Sequence, residues 1–412
     1  MIRSIICIGV ISASTYAGDW PQLLGPERNG TAPSDEKLLT TWPSGGPEKT
    51  WSIDIGQGFA GPVIQDQSLV VFHRNGNKER VDVFDTETRQ SRWETEWPAE
   101  YRGGINPDAG PRATPTIHNK VIFAMGASGR LVAMTMENGE ILWERNTARE
   151  FRAQEGYFGF GSSPIASGNK VIVNIGGDTG GIVAFDEKTG KTAWTLGDYK
   201  ASYSSPVTTT LQGKPAIICV TRLHVVAVEA DTGNLIWEIP FGARGPTVNG
   251  AAPIVLKDRL FLTASYRIGA EMHKLTGSNP TKIWSSDRSL SSQYASVVAH
   301  DGFIYGTHGR EDIPPAHFRC IDANTGAIKW SADDHGVTHV LRVRDHLLLL
   351  TIEGQLSVVK ANPAKYEPIV SAKITDEGTR AVPALANGIL YLRTTNDGES
   401  GKLLAFQVGT SP

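Results

Sequence analysis

Ala184-Phe185-Asp186-Glu187-Lys188-Thr189-Gly190-Lys191-Thr192-Ala193-Trp194 reads as a strand, a tight turn on Thr-Gly, and a second strand closing on Trp. Glycine supplies the positive φ such a turn takes, and the Asp and Thr side chains can hydrogen-bond back onto local backbone. A single copy would describe an ordinary hairpin. The pattern recurs, and the recurrence decides the fold.

Ala227 to Trp237, turning on Thr232-Gly233, is a second copy, and Cys320 to Trp330, turning on Thr325-Gly326, is a third. Ala133 to Trp143 and Val83 to Trp93 are looser versions, with Asn138-Gly139 and Thr88-Arg89 in their turns. Leu275-Thr276-Gly277 to Trp284 carries extra residues between turn and Trp. The closing Trp residues stand at 51, 93, 143, 194, 237, 284 and 330, with spacings from 42 to 51 residues. Four short strands per period of that length mark the blades of a β-propeller.

A length of 412 residues would ordinarily point to two or three domains. A closed array overrides that, because each unit buries its faces only against neighbours. The 44 glycines and the lack of sustained helical periodicity both suit an all-β chain. A net charge of −3 argues against a nucleic-acid-binding surface spread over the protein.

Residues 1–17 read as a secretory signal: Arg3, a short apolar run, and a cleavage end at Thr15-Tyr16-Ala17. The run is too short to span a membrane, and Cys7 inside it lacks the context of a lipid anchor. Only Cys219 and Cys320 follow, which gives no disulfide framework, zinc set or haem attachment. Cys320 stands where sister repeats have Ala184 and Ala227, and reads as a small buried substitute.

Residues 18–47, rich in Pro and Gly, read as an extended strap over the outside of the domain, anchored by Trp20 and Trp42. Residues 48–408 read as eight four-stranded antiparallel blades. Blades open at Pro62, Pro115, Pro164, Pro206 and Pro253, blade six at Val297 and blade eight at Pro383. Blade seven is degraded, with Ala361-Asn362-Pro363 where the Thr-Gly turn belongs, so seven blades remain the alternative. Blade eight lacks its outer strand, and the orphan strand around Trp51 can supply it and close the ring.

Three long loops, 97–111, 145–160 and 309–318, are the places to look for function. Aligning blades on the opening position puts Phe59, Arg112, Gly161, Tyr203, Gly250, Tyr294, Thr338 and Arg380 around one mouth of the channel, with Asn249 beside them. Arg112, Tyr203, Tyr294, Arg380, Phe59 and Asn249 could hold an anionic or planar ligand or a peptide strand. They could equally plug the channel. His308, Glu311, Asp312 and His317 crowd one loop, but their spacing matches no metal-ligand pattern, and Asp333-Asp334-His335 is no better. Gly161-Ser162-Ser163-Pro164 belongs to the repeated blade opening and is no nucleophile elbow.

The Ala-x-Asp-x-x-Thr-Gly-x-x-x-Trp pattern of 184–194 resembles the tryptophan-docking motif of pyrroloquinoline-quinone (PQQ) propellers, and the resemblance covers residues 48–408. It points to the quinoprotein-alcohol-dehydrogenase-like superfamily, which includes BamB, a non-enzymatic eight-bladed outer-membrane assembly scaffold. The opening Asp19-Trp20-Pro21-Gln22 looks like secreted PQQ-like repeat proteins of undefined role. The resemblance implies that Trp93, Trp143, Trp194, Trp237, Trp284 and Trp330 pack between adjacent blades. Quinone enzymes of the superfamily also use calcium, a catalytic Asp and often a disulfide between adjacent cysteines. No such cysteine pair exists here, and neither a calcium set nor a catalytic Asp can be placed. The sequence therefore predicts a periplasmic or secreted, monomeric binding or scaffold module without a catalytic residue, metal or cofactor. It takes a protein segment or small ligand at the channel mouth. The alternative is a PQQ- and calcium-dependent dehydrogenase of alcohols or sugars; no carboxylate pair supports a sugar-cleaving enzyme.

Overall fold

A computed structural model describes residues 18–396 and 398–410; the segment read as a secretory signal lies outside them. Eight four-stranded antiparallel sheets form, one for each blade, and each of the first seven runs through consecutive strands from the inside outward. Blade seven is regular, with strands Thr338–Val343, His346–Thr351, Gln355–Lys360 and Pro368–Lys373. The eighth joins Lys49–Ile55 to Gly401–Gln407, Ile389–Arg393 and Ala384–Ala386, so the first long strand completes the last blade. Eight blades close the ring.

Burial follows position in the blade. Lys170–Gly177, a second strand, is buried at all but its first residue, whereas Ser91–Pro98, an outer strand, keeps most of its residues in contact with water. Strands covered on both faces need continuous apolar runs; outer strands do not. The apolar clusters accordingly span neighbouring blades, as where Phe123 and Leu131 of blade two pack with Val171 and Phe185 of blade three.

The repeat's Ala and Gly have steric reasons. Ala184 pairs directly across from Trp194, and a bulge follows at Phe185; Ala227 faces Trp237 and Cys320 faces Trp330 in the same register. Each indole then reaches the next blade. A Cβ on Gly190 would stand 2.6 Å from the Trp143 ring, and one on Gly233 2.5 Å from Trp194. Trp143 donates its indole N–H to the Glu187 carbonyl at 2.8 Å, and Trp194 donates to Ala230 at 3.0 Å. Blade seven keeps this clasp without its glycine: Trp330 donates to the Asn362 carbonyl at 2.7 Å, and Tyr366 packs on the indole.

One short helix, Thr147–Phe151, interrupts the connection between blades two and three, where the sequence reading placed no helix. Asn146 caps it, its side chain accepting the Arg149 N–H at 3.0 Å.

The strap does not stay outside. Trp20 bridges to Ile64 and the Pro21 carbonyl accepts from Ile117, both on inner strands. Gly30 and Ala32 then bond to Arg342 of blade seven, and Glu36 accepts from Gly388 of blade eight. Between them Arg28 is buried and donates to the carbonyls of Pro164 and Pro206 and to the Thr116 hydroxyl. The strap thus crosses the ring and fills the channel at the end where inner strands turn back, with Trp20 fully buried and Trp42 packed on the core of the closing blade. The Pro164 and Pro206 carbonyls, just ahead of two inner strands, need donors, and the five-donor guanidinium serves both while also bonding the Thr116 hydroxyl of blade two.

Candidate functional site

The other end of the channel carries all three long loops. Loop 97–111 brings Tyr101 and Asp108 onto Arg112. The guanidinium lies 5.2 Å from the Tyr101 ring centroid and 5.1 Å from that of Phe59. It donates to the Asp108 carboxylate at 3.2 Å and to the Asp108 and Gly110 carbonyls. Asp108 is held in turn by the N–H groups of Gly58 at 3.0 Å and Gly110 at 2.8 Å. Burial lowers the Arg112 pKa and Asp108 opposes that shift.

Loop 309–318 does the same on the far side. Glu311 accepts from the Tyr294 hydroxyl at 2.8 Å and from Arg380 Nε at 2.6 Å. Burial, then Glu311, raises the Tyr294 pKa well above its usual value. His339 lies beneath, its Nε2–H donating to the Arg380 carbonyl at 2.9 Å; burial lowers its pKa to about 4.

Loop 145–160 meets Tyr203, whose hydroxyl accepts the Phe158 N–H at 2.9 Å. Burial raises the Tyr203 phenol to about 12. The Asn249 carbonyl accepts from the N–H groups of Tyr203 at 3.0 Å and Ser204 at 2.7 Å. Blade alignment thus placed six residues that the structure groups as Phe59 with Arg112, Tyr203 with Asn249, and Tyr294 with Arg380. It missed Tyr101, Asp108, Phe158 and Glu311, which come from unrepeated loops, and Arg393, buried below and bonded to the Phe72 and Gly56 carbonyls at 3.0 and 2.7 Å. Each loop tip exposes a large apolar residue: Ile105 at 73%, Tyr157 at 43% and Ile313 at 60%.

Among known proteins, a family profile described as outer membrane protein assembly factor BamB matches residues 31–160 and 78–332, most of the chain. The chain belongs to that family. Relatives carrying the same description include one from Burkholderia pseudomallei, 22% identical over 373 residues and spanning 86% of this chain and 87% of its own length. Another, from Shewanella oneidensis, is 22% identical over 389 residues and spans 87% of this chain and 88% of its own. Similar solved structures include BamB from Moraxella catarrhalis, with a TM-score of 0.63 at 17% identity, covering 87% of this chain and 97% of that one. Quinohemoprotein alcohol dehydrogenase from Comamonas testosteroni has a TM-score of 0.67 at 15% identity, covering 96% of this chain and 81% of that one. These likenesses support the PQQ-like propeller fold.

The BamB family shares that fold with quinone enzymes, so the residues at this mouth bear testing against quinone and calcium. Among the described residues, no group of three or more His, Cys, Asp or Glu side chains could hold a metal ion. Asp108 and Glu311, the carboxylates bonded to the mouth residues, are engaged by them: Asp108 by Arg112, and Glu311 by Tyr294 and Arg380. A flat cofactor would have to displace both networks. The residues present do not fit that pair. The crowded loop of blade six separates in the same way: Asp312 pairs with Arg310, and His317 Nδ1 lies 3.0 Å from Asp333.

Proposed function

We propose that this protein is a non-catalytic binding module on the periplasmic side of the outer membrane, where it holds a protein partner during outer-membrane assembly. Membership of the BamB family supports the process. The observation that carries the site is the convergence of three long loops, each with an exposed apolar tip, at the channel end that the strap leaves open. On this reading Ile105 and Ile313 touch the partner, while Arg112, Tyr203, Tyr294 and Arg380, with Phe59 and Asn249, form the floor that fixes the loops. The protein acts as a monomer without a cofactor. No helix among the described residues is long and apolar enough to cross a membrane.

The test is genetic. Removing the gene from its host should lower the amount of folded β-barrel protein in the outer membrane. Wild-type protein should restore it, and a variant carrying Ile105→Asp and Ile313→Asp should not. Unchanged barrel levels on removal would contradict the process, and full rescue by the double variant would contradict the site.

A further inference from the structure

Off the channel axis, the same mouth opens over blades three to five into a cavity of about 260 Å³. The 154–161 loop, with Glu155 and Phe160, forms one wall, and Lys200, Tyr203, Arg222 and Val248 line the others. Two cations stand side by side here because the Arg222 N–H donates to the Lys200 carbonyl at 2.8 Å. Arg152 and Arg244, both exposed, add positive charge on the neighbouring loops. Cations gathered around one cavity favour an anion inside it.

The Arg222 guanidinium is held in one orientation. Its Nη1 donates to the Thr247 carbonyl and, at 2.7 Å, to the Thr247 hydroxyl, and its Nη2 donates to the Gly245 carbonyl. These bonds use the end of the guanidinium and leave its side edge, Nε–H with the second Nη2–H, without an acceptor among the described residues. That edge reaches water, unlike the Nε atoms of Arg112 and Arg393, which are unpaired and buried. Two parallel N–H groups form the fork that a carboxylate bridges.

Lys200 can assist. It pairs with Asp178, but both side chains are 55% exposed, and so open an ion pair holds weakly. Glu155 opposes an anion from the loop wall, although burial, then the neighbouring Glu100, raises its pKa and so favours its neutral form.

We infer that this cavity binds a compact carboxylate with an apolar body. The Nε–Nη2 edge of Arg222 takes both carboxylate oxygens, Lys200 adds a second positive charge, and Phe160, Tyr203 and Val248 cover the body. No wall has to move to admit the ligand, because the guanidinium edge is already open to water.

Calorimetric titration of the full chain tests this with two carboxylates, benzoate and N-acetylglutamate α-methylamide, each beside its uncharged amide, benzamide and N-acetylglutamine α-methylamide. At least one carboxylate should bind saturably, and its amide about tenfold more weakly or not at all, the loss of a charge-assisted pair. Tighter binding of benzoate assigns the site to a free organic acid, and tighter binding of the glutamate probe assigns it to a protein side chain; both support the site. Arg222→Lys keeps the charge but removes the fork, and should weaken binding about tenfold. Because that change also releases the 245–247 carbonyls, Lys200→Gln serves as the second variant: it should weaken binding about threefold and leave the thermal midpoint unchanged. Glu155→Gln should strengthen binding. No saturable carboxylate binding, equal binding of the amides, full affinity in both cation variants, or weaker binding in Glu155→Gln would overturn the inference. The docking proposal rests on Ile105 and Ile313, neither of which lines the cavity, so the two readings fail separately.

Discussion

Two buried arginines occupy the two ends of one channel. Arg28, on the strap, meets only neutral partners: the Gln22 amide oxygen, the Thr116 hydroxyl and two proline carbonyls. Burial alone brings its pKa down to about 9. Arg112, at the loop-bearing mouth, meets the carboxylate of Asp108 and two aromatic rings. The strap end uses a guanidinium as a multi-donor plug for backbone carbonyls. The loop end uses one as half of an ion pair that fixes loop 97–111 in place. A plug of neutral bonds closes an end. A charge pair under a loop fixes that loop against the propeller.

Truncation should separate these roles. Arg112→Ala leaves the Asp108 carboxylate buried without its cation and should cost about 3–5 kcal/mol of unfolding free energy in denaturant titration. Arg28→Ala leaves neutral acceptors behind and should cost less, about 2–3 kcal/mol. Equal losses would mean that the ends are held in the same way. Acid should act on the loop end next. Burial holds His339 at about 4 against the usual 6.5. Over that interval the unfolded chain binds a proton the folded chain refuses, so stability should fall as pH drops from 6.5 to 4. His308, lowered by burial to about 4, contributes in the same sense. His339→Gln should flatten part of this slope, and an unchanged profile would show that His339 is not excluded from protonation. The loop tips should matter least for folding: Ile105→Asp and Ile313→Asp should each shift stability by no more than about 0.5 kcal/mol.

Legibility divides along the same line. The repeat was readable because Trp, Gly and Ala recur in register, and each makes the same contact in successive blades. The ring's closure was readable because Trp51 had no hairpin partner ahead of it while the last blade lacked its outer strand. Blade seven looked degraded because the clasp depends on a carbonyl, which Asn362 supplies as well as any residue. The course of the strap was not readable for the same reason. Two of the four acceptors that Arg28 meets are backbone carbonyls, which carry no sequence identity. At the mouth, blade alignment located Arg112 and Arg380, but their partners Asp108 and Glu311 sit in loops that occur once. Alignment of repeats therefore finds one side of each ion pair and is blind to the other.

The most direct measurement is site-specific photocrosslinking in cells, with the crosslinker placed at Ile105, at Ile313 and, on the strap side, at the exposed turn residue Asp66. The account predicts one common protein adduct from positions 105 and 313 and none from 66. An adduct from position 66, or none from the two loop tips, would contradict a propeller closed by its own strap at one end and built for docking at the other.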